Sequence, residues 1–498
     1  MKKKVIVIGG GIAGLSAGVY ALKCGFDVTI LESHSIAGGN CTSWKRGGYL
    51  FEGGMHWLTG SSKKEPANKM WRHIGALDDS VTIHNYEPFA TLGYKDMPIH
   101  IFRNVDATEK HLLELSPVDA TEIKKLCGYI RKANLSMPIS DIRGVKVTKK
   151  SRLPLSLLFS ALPAFRMMAK VSKISRTEFL NRFKHEGIRE MIRAFSSDNS
   201  GIMPITFTMG ALSSGDGGFP EGGSLPFAAR IVKTFTGLGG EILYNTRTDK
   251  VIIENGPANN RHTAGVMTNG KMIPADAVII TADTMAIDHL FDEPPKSRWL
   301  DEMRAVTKPT MVTFVSLGIN ADLTKYNKNY VFKARTPIKL ANQTYELISI
   351  NNYAGDPVYS PAGKSAVTIQ LDGDTYVFWK KAKEENCYAD EKKKIADAVI
   401  REIAAFMPET AGKVEVIDVA TPLTYERYCA NWKGSWMTEM TPGIKMKSYP
   451  AVVKGLQGVY FAGHRMMPPG GLPIALVSGR TAVQHLCLDT KTLFVSEE

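Results

Sequence analysis

Val5-Ile6-Val7-Ile8 runs straight into Gly9-Gly10-Gly11-Ile12-Ala13-Gly14, and few folds accept that order of residues. A short β-branched run of this kind makes a buried parallel strand. Gly9, Gly11 and Gly14 stand at the three glycine positions of a G-x-G-x-x-G turn, with Ile12 and Ala13 between the last two. The three glycines serve different physical ends. Gly9 permits the tight turn, Gly11 lets a diphosphate approach the backbone, and Gly14 lets the next helix pack closely on the sheet. The expected helix, Leu15 to Lys23, is lined with Ser16, Ala17, Gly18 and Ala21, so its positive N-terminal end can face a diphosphate at short range. A second strand, Asp27 to Leu31, ends at Glu32, 18 residues after Gly14, with Ser33 beside it. An acid there holds a ribose hydroxyl pair.

An acid in place of an arginine selects an unphosphorylated ribose, which leaves NAD or FAD. Gly38-Gly39-Asn40 follows Glu32 closely, and a second glycine-dense, aromatic-bearing segment runs from Gly47 through Gly54-Met55-His56-Trp57. A cofactor that extends beyond the first βαβ unit needs such a close-approach segment, which favours FAD.

These segments together resemble the flavin-dependent amine oxidase superfamily, and within it the bacterial-type phytoene desaturase and retinol saturase (carotenoid isomerase) branch. Gly218-Phe-Pro-Glu-Gly-Gly-Ser224, Asp276-Ala-Val-Ile-Ile-Thr-Ala-Asp283, and the C-terminal Gly458-Val-Tyr-Phe-Ala-Gly-His464 with Pro469-Gly-Gly-Leu-Pro-Ile-Ala475 are similar to that branch in order and spacing. The resemblance implies further flavin-binding positions at Val251, Ala282, Gly463, His464, Gly471, Leu472, Pro473 and Ile474. Where relatives often carry an acid after the glycine, this chain has His464 followed by Arg465-Met-Met-Pro468. The helix expected from Leu472 to Leu486 can turn its N-terminal amides to the pyrimidine edge of a flavin.

The implied architecture is α/β: a Rossmann-type FAD-binding domain of the glutathione reductase-like kind, and a discontinuous α+β substrate domain with a mixed sheet. Residues 1–75, 217–290 and 418–498 are assigned to the first, and 76–216 with 291–417 to the substrate and membrane-facing domain. In the latter, Thr310 to Ile319, Tyr345 to Ile350 and Ala366 to Leu371 read as strands. Glu391 to Met407 reads as a core-packing amphipathic helix.

Charge matters here because it is uneven. Nine of the thirteen surplus positive charges lie between Arg143 and Arg176, a stretch with no acidic residue. Leu153 to Leu162 is apolar, and a helix from Ala164 to Ile174 places Arg166, Lys170 and Lys173 on one face with Phe165, Met168 and Val171 beside them. That arrangement suits an anionic membrane interface and equally a solvated basic face on a lid helix. No nucleic-acid motif accompanies it. Six scattered cysteines with no C-x-x-C pair argue against a disulfide framework and a thiolate metal site. The expectation is a cytoplasmic location, peripheral on the cytoplasmic membrane face, with no metal; the sequence leaves the oligomeric state open.

The leading functional expectation is an FAD-dependent oxidoreductase that desaturates, saturates or isomerises carbon–carbon double bonds of a long apolar lipid such as a carotenoid, retinoid or fatty acid. His56 and His464 are the candidate proton-handling groups, with Asp198 and Asp216 behind them. No second dinucleotide fingerprint is present, so electrons exchange with a quinone or oxygen entering the same cavity, or the reaction is a redox-neutral isomerisation. A flavin amine oxidase and a non-catalytic isoprenoid carrier of the GDP-dissociation-inhibitor type are the alternatives.

Overall fold

The computed structural model describes residues 2–95, 97–133, 139–150, 164, 166–196, 201–256, 261–439 and 447–497. β1 (Lys4–Ile8) is the middle strand of a five-stranded parallel sheet ordered Val459–Phe461, Ala277–Ile280, β1, β2 (Asp27–Leu31) and Glu241–Leu243. Both faces are covered, which is why β1 is apolar at every position from Val5 to Ile8. Val5 and Val7 face a helical layer of α1 (Ile12–Lys23), Ser224–Gly237 and Leu472–Thr490. Ile6 and Ile8 face the antiparallel strands Lys250–Asn255 and Arg261–Thr268.

A seven-stranded mixed sheet forms the second unit, ordered Val414–Ala420, Val312–Ile319, Ser365–Asp372, Gln343–Asn352, Asn329–Leu340, Ala90–Gly93 and Ile99–Ile101. Val315, Leu317 and Ile319 point to one side, where Ile395, Val399 and Ile403 of the helix Tyr388–Phe406 cover them. The other side looks towards the parallel sheet's unit. The expected boundary at 417/418 cuts through the strand Val414–Ala420, which pairs along its length with Val312–Ile319 and belongs to this sheet. A separate helical core is built from Val105–Leu115, Ala120–Lys132, Glu186–Ala194 and Met203–Ser213.

Two parts of the basic segment are described: Lys146 and Thr148 pair with Phe494 near the C-terminus, and residues 166–174 dock on that helical core. Met167, Val171 and Ile174 are buried in it while Arg166, Lys170 and Lys173 are exposed. The apolar half of this helix is therefore spent inside the protein, and only its charged half is available to an anionic surface. The apolar run 153–162 lies outside the described residues, as does Asp198. Among the described residues, no helix is long and apolar enough to cross a membrane.

Candidate active site

A cavity of about 1450 Å³ runs from the C-terminal ends of β1 and β2 to the gap between the two sheets. Its inner end is built by the glycine turn. Gly9 turns with φ +100°, and a Cβ on Gly14 would lie 1.9 Å from the Gly9 carbonyl oxygen, so α1 approaches the strand as closely as backbone allows. A Cβ on Gly11 would meet nothing nearer than the Gly39 Cα at 3.8 Å. It would project instead into the cavity, into the space a diphosphate needs. Gly11 is the N-cap of α1, and no side chain caps the helix. Its first amides are left for an anion.

Glu32 stands where β2 ends. Its carboxylate accepts hydrogen bonds from the Gly10 and His34 amides, each at 2.7 Å, which fixes the group beside the turn. Burial pushes this carboxyl up from its ordinary range, opposed by those two amides. Ser33, Gly38, Gly39 and Asn40 also line the cavity. The Asn40 side-chain oxygen accepts from the Asn431 side-chain amide at 2.6 Å.

Gly54, Met55, His56 and Trp57 form the middle of the wall. They follow β3 (Ser43–Arg46) and β4 (Tyr49–Glu52), a hairpin whose last residue fixes them. The buried Glu52 carboxylate accepts from the amides of Gly54, Met55 and Ser224 at 2.9, 3.0 and 2.9 Å. His56 stacks on Phe314 and meets Trp436 edge-on, and its Nε2 is buried with no hydrogen-bond partner. Burial lowers this imidazole to about 4, with the Lys328 side chain adding to the effect and Asn351 and Gln370 opposing it. Burial also drives the Lys328 amine well below its usual range, so desolvation is the main reason His56 is neutral.

The third wall comes from the C-terminus: Gly463, His464, Gly471, Leu472 and Pro473, with Ala282 across from them. Gly471 is the N-cap of the helix Leu472–Thr490, again without a side-chain cap. Burial lowers His464 to about 4, Arg465 adds to this and Asp283 opposes it. Arg465 grips Asp283 through two hydrogen bonds of 2.7 and 2.8 Å, with both side chains 2% exposed. Burial alone would raise the Asp283 carboxyl, but the Arg465 hydrogen bonds and charge outweigh it and hold it low. Sequence reasoning missed this pair. Its signal was the acid at the end of the strand Ala277–Ile280 together with the unusual arginine after His464.

Three expected cofactor positions do not line the cavity. Gly14 is packed against Gly9. Val251 is buried in the strand Lys250–Asn255 behind the parallel sheet, and Thr246, Arg247 and Thr248 take the cavity position just before it. Ile474 points into the core while its neighbours Leu472 and Pro473 reach the wall. Asp216 is an anchor for loops: it accepts from the Gly60 amide at 2.7 Å, the Ser61 hydroxyl at 3.0 Å and the Ser62 amide at 3.0 Å.

An open anion cradle at one end and the His56 imidazole on the wall in the middle fit a flavin cofactor. Together with the parallel sheet they define the class: a flavin-dependent oxidoreductase built of two sheet units. The family model for flavin containing amine oxidoreductases matches residues 12–487, and the chain belongs to that family. The chain is 22% identical to the chloroplastic prolycopene isomerase of Daucus carota, over 97% of this chain and 80% of that protein. It is 23% identical to the all-trans-retinol 13,14-reductase of Homo sapiens, over 87% of this chain and 77% of that protein. Among solved structures, an oxidoreductase from Methanosarcina mazei matches with a TM-score of 0.61 at 17% identity, over 97% of this chain and all of that one.

Proposed function

We propose that the chain is an FAD-dependent oxidoreductase acting on carbon–carbon double bonds of a long, largely apolar lipid, by desaturation, saturation or isomerisation. The observation that carries the reading is the continuity of one cavity from the Gly11 cradle and Glu32 to His56 and Pro473. Such a length suits a dinucleotide with a redox ring at the far end. When bound, the flavin supplies hydride acceptance and donation.

The chain's own residues do the rest. The amides at the start of α1 hold the diphosphate and the Glu32 carboxylate takes the ribose hydroxyls. The N-terminus of Leu472–Thr490 offers amides and a positive helix end to the part of the ring where negative charge collects. Burial holds His56 and His464 neutral at neutral pH, so each presents an uncharged imidazole to the cavity. Phe314, Trp436 and Tyr425 supply an apolar, water-excluding wall beside His56.

The names of the isomerase and reductase relatives support a polyene lipid substrate. The exposed Arg166, Lys170 and Lys173 support a peripheral place on the cytoplasmic face of an anionic membrane.

The cofactor half of the reading is tested by denaturing the purified protein and chromatographing what it releases. FAD in stoichiometric amount is expected. A colourless protein with no affinity for added FAD would overturn the reading and leave the isoprenoid carrier in its place.

A further inference from the structure

α1 and the helix Leu472–Thr490 both begin uncapped at the cavity, and they run side by side away from it. The Ser16 hydroxyl donates to the Leu476 carbonyl at 2.8 Å, and a Cβ on Gly479 would lie 2.5 Å from the Ala13 carbonyl oxygen. The two backbones therefore touch. Steps of four residues keep to one side of a helix, and two such ladders, Ser16-Tyr20-Cys24 and Gly479-Val483-Cys487, climb together along the contact. They end, at the far end from the cavity, in two thiols that hydrogen-bond to each other.

The two sulfurs are unlike. Cys487 is wholly buried, while Cys24, just past the last residue of α1, is half-buried. The Cys487 thiol donates to the Cys24 sulfur, and so does the Val495 amide at 3.3 Å. These two bonds and the Arg480 charge outweigh burial and hold Cys24 below the ordinary thiol range. The Cys487 thiol is pushed up, first by its bond to Cys24 and then by burial. Burial also pushes up Cys41, Cys127 and Cys429. The thiolate is the reactive form of cysteine, so Cys24 meets an oxidant first.

We propose that Cys24 and Cys487 form a reversible disulfide, Cys24 being the sulfur that reacts with peroxide and Cys487 the one that closes the bond. The pair stands whether or not the substrate is a lipid. Hydrogen peroxide, which oxygen yields on taking two electrons from a reduced flavin, is the oxidant. The Cys24 thiolate attacks one peroxide oxygen, the O–O bond breaks, and the departing hydroxide takes a proton and leaves as water. The Cys487 sulfur then attacks the sulfenic sulfur of Cys24, the S–O bond breaks, and the thiol proton leaves with the hydroxyl as a second water. Two thiols are oxidised to one disulfide and one peroxide is reduced to two waters. All six cysteines are free thiols in the structure, so this bond is a switchable modification and no part of a structural framework. Once formed, it ties the far ends of the two helices whose near ends line the cofactor cavity.

The test treats the flavin-loaded protein with a small excess of hydrogen peroxide, then denatures it in an alkylating agent. Uptake of alkyl groups should fall from six to four, the mass before alkylation should be lower by two hydrogens, and the Cys24 and Cys487 peptides should be found linked. Dithiothreitol should restore all six thiols. In Cys487→Ser, peroxide should stop at a Cys24 sulfenic acid, trapped as its dimedone adduct, with no disulfide. Six alkyl groups after peroxide, a disulfide between other cysteines, or oxygen added at Cys24 without a crosslink would each overturn the pair. No dimedone adduct on Cys24 in Cys487→Ser would overturn the order of attack. Should that variant fail to fold, peptide mapping of the native protein decides alone.

Discussion

The cradle at Gly9–Gly14 and the face that the seven-stranded sheet turns towards it are built in opposite ways. The cradle is local: strand, turn and helix lie within 20 residues, from Lys4 to Lys23, and what each glycine does follows from its place in that short unit. The sheet face is assembled by register, with Ser316, Thr368, Asn351 and Asp418 brought together from four strands. A site made by local backbone geometry tolerates no side chain at its critical position. A face made by cross-strand neighbours tolerates substitution more readily.

Gly11→Val separates the two regions most strongly. The added branched side chain would stand in the open space beside Gly39, and loss of bound flavin is expected from the absorbance of the purified variant. Flavin retained at the native level would refute the cradle. Next in size is the contact that joins the strand Ala277–Ile280 to the C-terminal loop. Arg465→Met leaves the Asp283 carboxylate buried without its partner, and a loss of about 3–5 kcal/mol in a denaturant melt is expected. A melt within error of the native one would mean that the pair is solvated in practice.

A smaller effect lies outside both regions. Replacing Arg166, Lys170 and Lys173 together by glutamine should weaken sedimentation with anionic liposomes, at about 1 kcal/mol per residue, and leave flavin content untouched. Unchanged sedimentation would remove the membrane from the picture. The most gradual effect is acid sensitivity. His56, His73 and His464 are each lowered by burial to about 4, from an ordinary value of 6.5. The unfolded chain therefore takes up protons first as the pH falls, so stability is full above about 6.5 and declines as the pH falls towards 4. His73→Gln, remote from the cavity wall, should make melting temperature fall less steeply across that window; an unchanged slope would assign the acid sensitivity elsewhere.

What was legible in the sequence follows the same division. β1, α1, β2 and Glu32 were readable because strand and helix periods, turn glycines and the acid are all set by short-range spacing. The strands Val312–Ile319, Gln343–Asn352 and Ser365–Asp372 were readable one by one through their alternation, but not their order in the sheet. Ser316 and Thr368 consequently gave no signal, since a buried hydroxyl in an alternating strand looks like any outward-facing one. The last two strands of that sheet, Ala90–Gly93 and Ile99–Ile101, were missed because they are too short to show a period. The helix over 166–171 shows the limit of amphipathicity: the same pattern describes a helix on a bilayer and one whose apolar side is already covered by a helical core. Glu52 and Asp283 were visible as letters inside glycine-rich segments, but their partners, Ser224 and Arg465, lie 172 and 182 residues away.

Cradle and sheet face act together only if the cavity couples a flavin to the double bonds of a lipid. Anaerobic incubation of the flavin-loaded protein, oxidised and dithionite-reduced in parallel, with a polyene lipid extract decides this, read by flavin absorbance and product mass. Two outcomes agree with the coupling: a change of two hydrogens in a lipid, matched by reduction or reoxidation of the flavin, or an unchanged mass with a shifted retention time. A flavin that responds to amines and leaves every lipid unaltered in both oxidation states would rule it out.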